Sequence, residues 1–336
     1  MGRLFGIPVR VHVGLILLLL ALVFFAPSDE LRLRTLLVSL VVLVSLILHE
    51  LAHALAARHY GIETRQILLH PLGGAAILSE RAPTAKAEFW IAAAAPLTNL
   101  ALAGVSFLVL HFADLAFFED LAWPNLLLGL TNLVPAFPLD GGRMLRAALD
   151  AKLGPVRSTR WAARIGRGLA TVAIVAGLAT VQPMLVIVGV MIVLAGTAEE
   201  RASLIHGFMS RRRVHESMDD VAESVSAAGD VGEALRILGA HPRLGALPVT
   251  FGARVVGVVY REPLVLAASA AARGVRTGLS DVMDRNIVTH EGDGPLVPLL
   301  RKMGETQSRT AVIMDGPEVK GVITVDRLIE DLRSAS

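Results

Sequence analysis

The amino-acid sequence predicts a polytopic α-helical membrane protein of six transmembrane helices, followed by a soluble α/β domain at its C-terminal end. Three observations carry this. Long apolar stretches dominate residues 1–200, and 54% of the chain is hydrophobic. Six of those stretches approach the roughly 20 residues a helix needs to cross the hydrocarbon core. From about residue 211 the pattern changes to short β-rich runs and helical stretches that recur at a fixed offset.

The six expected spans are about residues 11–26, 36–58, 88–112, 125–149, 161–181 and 183–200. The first is short, and a signal peptide is its alternative. Phe24-Phe25-Ala26-Pro27 is a poor small-residue cleavage site and more spans follow, which favours the helix. The fourth carries Pro135, Pro138 and Asp140. The last two are joined by Val181-Gln182-Pro183, a tight hairpin. Alternate loops then fall into two sets. One holds Arg3 and Arg10, then Arg58, Arg65, Arg81 and Lys86, then a basic 143–167 segment (Arg143, Arg146, Lys152, Arg157, Arg160, Arg164, Arg167), then the tail. The other holds Arg32 and Arg34, then Asp114, Glu119 and Asp120, then the uncharged hairpin. By the positive-inside rule both termini of a multi-pass protein of the cell (inner) membrane are cytoplasmic. Loss of one weak span would break that pattern.

The expected domains are 1–205 in the membrane, a basic linker 206–214, and two tail halves, 215–275 and 276–336. A net charge of +2 gives nucleic acid no special support as a partner, and the absence of cysteine excludes disulfides and Cys-based chemistry.

The sharpest local signal is His49-Glu50-Leu51-Ala52-His53, at the end of the apolar run Leu37–Leu48. Positions i and i+4 share one helical face, so both imidazoles reach one ion. Glu50 beside them is placed to take a proton from a metal-bound water. Ionisable groups in a membrane helix are expensive unless functional; histidines merely hydrogen-bonded within a bundle are the bland alternative. A catalytic zinc usually has three protein ligands and an open position. Asp140, the acidic residue inside the fourth apolar segment and followed by Gly141-Gly142, is the best third ligand. Glu63 and Glu80 are alternatives in polar sequence, and a helix N-cap is the alternative role for Asp140.

His49-Glu50-x-x-His53, followed by Asn132-Leu133-Val134-Pro135-Ala136-Phe137-Pro138-Leu139-Asp140-Gly141, resembles the paired signature of the site-2 protease family of intramembrane metalloproteases, over about residues 1–205. The resemblance implies one zinc ion held by His49, His53 and Asp140, with Glu50 as general base. It implies that Asn132 helps bind the scissile carbonyl or its oxyanion. The family's Gly-x-x-x-Asn/Ser/Gly element is matched by Ala95-Pro96-Leu97-Thr98-Asn99. Here alanine replaces the glycine and Asn99 is expected at the substrate site. Pro71-Leu72-Gly73-Gly74 resembles the family's membrane-associated hairpin, so Gly73 and Gly74 are expected to meet substrate, as an added strand or, alternatively, as an ordinary turn. His59 and His70 read as interfacial, and His12 and His111 as structural.

In the tail, Leu247–Thr250 and Val255–Val259 recur 64 residues later as Ala311–Met314 and Val319–Thr324, each copy preceded by a helical stretch, about 231–240 and 296–304. Met283-Asp284-x-x-Ile287-Val288-Thr289 and Gly321-Val322-Ile323-Thr324 resemble a cystathionine-β-synthase (CBS) domain, so the tail is similar to a CBS pair. That implies an adenine nucleotide between the copies and a homodimer through the pair. The pattern departs from the family: Arg327 stands where a ribose-binding Asp or Asn is expected, and Tyr260 where Thr or Ser is expected. A tail that only dimerises or docks substrate is the alternative. The resemblances together imply a zinc endopeptidase embedded in the lipid bilayer and cutting single-span membrane proteins, such as anti-sigma factors or membrane-tethered transcription factors. A metal-binding transporter or sensor, and a catalytically silent family member, are the rivals.

Overall fold

The computed structural model describes residues 2–71, 73–113, 116–221, 223–273 and 277–334. Leu72 of the expected hairpin, Asp114 of the acidic loop and the 275/276 boundary between tail halves lie outside the described residues. The chain forms two compact units, Met1–Ser203 and Leu204–Ser336.

The first unit runs β1 (Gly2–Leu4), β2 (Ile7–Val11), α1 (Val13–Phe24), α2 (Asp29–His59), β3 (Thr64–His70), β4 (Gly73–Leu78), α3 (Ala85–Phe112), α4 (Ala116–Asn132), α5 (Asp140–Leu153), α6 (Pro155–Ala179) and α7 (Pro183–Met209). The four strands form one sheet in the order β1-β2-β3-β4, leaving β4 at an edge. Helix α2 starts at Ser28, whose hydroxyl accepts from the Leu31 N–H at 3.3 Å, with Asp29 and Glu30 in the first turn favoured by the helix dipole. Its 31 residues span about 46 Å at 1.5 Å per residue.

The helices are apolar outside and small or polar inside. Along α2 the buried stripe is Ser39, Ser45, His49, His53 and Ala57, recurring mostly at i+4, while Leu37, Leu40 and Val44 stand about half exposed. On α6 the buried face is Ser158, Thr159, Ala162, Ala163, Gly166 and Ala170, and Val172, Val175 and Leu178 point outward. Water would reject such surfaces. Lipid accepts them, and small residues let helix backbones approach.

Among the described residues four helices, α2, α3, α6 and α7, are long and apolar enough to cross a membrane. Helix α1 has 12 residues and α4 has 17. The expected fourth span, 125–149, is corrected: it is not one element but the end of α4, a non-helical stretch 133–139, and α5. Pro135 and Pro138 explain the break, since each lacks a backbone N–H. The basic 143–167 segment is likewise not a loop. It is the corner between α5 and α6, turned at Gly154 with φ +74°. Much of its charge is neutralised internally: Arg146 pairs with Glu88 and Glu199, and Arg160 and Arg167 pair with Glu200 at 3.3 and 2.9 Å. The expected linker also differs, because α7 stays helical to Met209, and Met209 and Val214 join a buried cluster with Val288, Leu296 and Ile323.

In the second unit the expected order appears twice. β6 (Val225–Ser226), α9 (Val231–Ala240), β7 (Leu247–Phe251), β8 (Arg254–Val259) and α10 (Arg261–Ala271) are followed by β9 (Ile287–Glu291), α12 (Leu296–Glu305), β10 (Thr310–Asp315), β11 (Glu318–Thr324) and α13 (Val325–Ser334). The short elements α8 (Val214–Ser217) and β5 (Asp219–Asp220) precede the first copy, and α11 (Leu279–Val282) precedes the second. The copies exchange backbone. Strand β5 pairs with β11 of the far copy, Asp219 opposite Val322, and Asp284 bridges Val258 of β8. Gly321 and Gly257 make room: a Cβ there would sit 2.8 Å from the Asp219 carbonyl and 2.7 Å from the Asp284 carbonyl respectively.

Candidate metal centre

Two helices and a broken segment build the site. His49 and His53 lie one turn apart on the buried stripe of α2, and Asp140 is the first residue of α5. All three are at most 6% exposed. The His49 Nε2 lies 3.1 Å from Asp140 Oδ2, and the His53 Nε2 lies 3.2 Å from Asp140 Oδ1. One ligand atom from each residue can be chosen so that all lie within 4.8 Å of one another.

The other nitrogen of each ring fixes the tautomer. His53 Nδ1 lies 2.7 Å from the Ile91 carbonyl oxygen, which can only accept, so Nδ1 carries the hydrogen. His49 Nδ1 lies 2.6 Å from Asn99 Oδ1 in the same sense. Both Nε2 atoms are therefore the nitrogens that face the carboxylate and are free to take a metal ion in place of a proton. Two imidazole nitrogens and a carboxylate converge in a buried site, a donor set that a divalent cation satisfies once the ring nitrogens facing it are unprotonated. Two ligands at about 2.1 Å from a tetrahedral zinc are about 3.4 Å apart, close to the spacings found. The residues present thus fit zinc, and the hydrogen bonds behind the imidazoles are those that orient metal-bound histidine.

The sequence motif Asp140-Gly141-Gly142 has a steric reason. A Cβ on Gly141 would strike the Leu133 and Val134 carbonyl oxygens, and one on Gly142 would lie 2.6 Å from the Ala136 carbonyl carbon. Only glycines let the first turn of α5 nest against 133–139 and carry Asp140 to α2. The non-helical stretch is itself covered: Ala136 packs with Ala170 and Ile192, and Phe137 with Ala162 and Ala163. Irregular backbone at membrane depth is tolerated when buried in protein. The N-cap reading of Asp140 does not hold, since Leu139 occupies that position without a side-chain cap. Glu63 and Glu80 are exposed, away from the site.

Glu50 is 4% exposed and lies against β4. A Cβ on Gly74 would sit 2.7 Å from the Glu50 carboxylate carbon, and the backbone N–H of Ala76 donates to Glu50. Gly73, with φ +129°, opens this strand. Asn132 ends α4, and its amide donates to the Leu128 carbonyl at 2.9 Å. That uses one of its two amide hydrogens and leaves one for another acceptor. Asn99 requires a correction. It is fully buried, its oxygen on His49 and its amide donating to Asn125 at 2.7 Å, so the structure engages its side chain behind a metal-ligand candidate rather than at an open surface. Sequence reasoning missed Asn125, whose only signal was an amide inside an apolar helix. His12 caps α1 by accepting from Gly14 N–H at 2.9 Å.

A buried His-His-Asp cation site with an adjacent glutamate, within apolar helices, defines a membrane metallopeptidase. Comparison with known proteins agrees. Residues 37–115 and 112–173 match Peptidase family M50. Zinc metalloprotease MJ0392 of Methanocaldococcus jannaschii is 29% identical over 96% of this chain and 92% of its own length. Rip3 of Mycobacterium tuberculosis, which carries the name of a zinc metalloprotease, is 32% identical over 88% of this chain and 81% of its own. The solved site-2 protease from Methanocaldococcus jannaschii is 33% identical, with a TM-score of 0.49 over 60% of this chain and 94% of that one. The chain belongs to peptidase family M50 and is a zinc metalloprotease.

Because Gly74 has no room for a side chain, Gly74→Ala should push the Glu50 carboxylate aside without touching the metal-ligand residues. Cleavage is expected to fall about a hundredfold, the usual cost of misplacing a reacting group by an ångström. Zinc content, measured by metal analysis of the purified protein, should stay at the wild-type level.

Proposed function

We propose that this chain is an intramembrane zinc endopeptidase that cuts single-span membrane proteins, with anti-sigma factors and membrane-tethered transcription factors as the expected kind of substrate. The observation that carries the reading is the position of Glu50, between the His49–His53–Asp140 group and edge strand β4. In this reading His49, His53 and Asp140 hold the ion. Bound zinc supplies a Lewis acid for the scissile carbonyl and acidifies water to a pKa near 7. Glu50 accepts the proton of the attacking water and passes it to the leaving amine. The second amide hydrogen of Asn132 stabilises the oxygen on which charge builds. The free edge of β4, beginning at Gly73 and Gly74, takes the unwound substrate as an added strand. A metal transporter or sensor would use the same imidazoles and carboxylate but would give Glu50 no task.

In the same reading α1 and α4 complete six membrane passes with both termini cytoplasmic. Arg34 of α2 and Asp120 of α4 were expected on the opposite face, and they pair at 2.9 Å. The tail is read as a CBS pair that serves as a scaffold for self-association. Its would-be ribose positions are engaged internally. Thr324 Oγ1 accepts from the Arg327 N–H at 3.2 Å, the Arg327 side chain pairs with Asp219 at 3.3 Å, and the Tyr260 hydroxyl meets Thr310 Oγ1 at 2.8 Å. Val265 of α10 and Ile329 of α13, 64 residues apart, are both exposed and support pairing of two tails.

Two experiments test these readings. Glu50→Gln should keep zinc and abolish cleavage of a single-span substrate, and Asp140→Asn should lose zinc on dialysis; full activity of the glutamine variant would remove the mechanism. Calorimetric titration of the purified chain with ATP or AMP should give no saturable heat at millimolar nucleotide, and a saturable isotherm would restore the regulatory-ligand reading.

A further inference from the structure

The hydrogen bonds behind His49 do not stop at Asn99. The Asn99 amide nitrogen donates to Asn125 Oδ1 at 2.7 Å, and the Asn125 amide nitrogen donates both to Ser45 Oγ and to the Leu121 carbonyl oxygen at 2.9 Å. Ser45, His49, Asn99 and Asn125 are all at most 4% exposed. Three helices meet in this relay: α2 gives Ser45 and His49, α3 gives Asn99, and α4 gives Asn125 and Leu121.

The direction of the relay follows from its far end. A backbone carbonyl can only accept, so the atom of Asn125 beside Leu121 must be the amide nitrogen. Its oxygen then faces Asn99 and can only accept. Asn99 must present nitrogen to Asn125 and oxygen to His49. His49 must carry a hydrogen on Nδ1, so that in its neutral form Nε2 is the nitrogen left for the metal. His53 reaches the same state in one step through the Ile91 carbonyl.

We propose that Asn125 is a positioning residue that holds His49 in the zinc-binding tautomer, acting through Asn99 and anchored by the Leu121 carbonyl. This rests on His49 being a zinc ligand. With Asn125 removed, the Asn99 amide is free to turn and offer nitrogen to His49, which moves the imidazole hydrogen to Nε2, where it blocks the metal. Supporting bonds of this kind typically change metal affinity about 10–100-fold.

The test uses the full chain in detergent micelles with nitrogen-15-labelled histidine. The His49 resonances are assigned by difference against His49→Gln. In the metal-free wild type, at a pH high enough for the imidazole to be neutral, Nδ1 should show the protonated signature and Nε2 the unprotonated one. Asn125→Leu, similar in volume and suited to an apolar helix, should move the hydrogen onto Nε2 in a substantial population and raise the zinc Kd about tenfold or more. Asn125→Asp should restore both readouts, because a buried neutral acid donates to the Leu121 carbonyl and accepts from Asn99 as the amide does. A leucine variant with the wild-type tautomer and zinc Kd would overturn the proposal. If the leucine variant does not fold, a folded aspartate variant with a disturbed tautomer and weakened zinc would overturn it equally. Retention of tight zinc by His49→Gln would instead refute the ligand assignment.

Discussion

The imidazoles of His49 and His53 each lie within hydrogen-bonding distance of the Asp140 carboxylate in a buried site. That convergence is the constraint around which the membrane unit is arranged. Each imidazole is turned outward to give its hydrogen away, to Ile91 on one side and Asn99 on the other. The ring nitrogens left inside face the carboxylate, and together with it they form a donor set for a cation. A buried set of this kind is costly without its ion, so metal binding and stability of the site are the same quantity.

The surrounding sequence serves that geometry in distinct ways. Alanines, glycines and serines line the buried faces, so α3, α5 and α6 approach closely enough for a carboxylate on one segment to reach imidazoles on another. Two prolines break what would otherwise be a single helix, and two glycines let the new helix begin against the break. The buried alanine and phenylalanine of the non-helical stretch then seal it from lipid. Strand β4, at the edge of its sheet, approaches Glu50 at a glycine. An exposed edge is usually a liability; in the reading proposed above, this one serves to take substrate.

Much of the site was legible because its signals are local. An i, i+4 histidine pair with a glutamate between is visible in five residues, and an aspartate between apolar runs announces a buried charge. What was not legible depends on pairing across distance. The arginines counted as loop charge include Arg146, whose partners Glu88 and Glu199 lie more than fifty residues away. Hydropathy reads 125–149 as one span because averaging over a window does not see a break between two helices. The element Ala95–Asn99 marks Asn99 as important, but a linear motif does not show that its side chain turns toward His49 and Asn125. The tail's strands and helices were readable from their fixed offset, but the exchange of Asp219 and Asp284 between copies left no pattern in the sequence.

The central claim is that two imidazoles from α2 and one carboxylate from α5 hold zinc. Zinc X-ray absorption on the loaded full chain reads that ligand set directly. The expected result is a four-coordinate shell of two imidazole nitrogens at about 2.0–2.1 Å with the remainder oxygen, and loss of the zinc signal from dialysed Asp140→Asn. A shell with a different number of imidazoles, or one unchanged by that substitution, would contradict it.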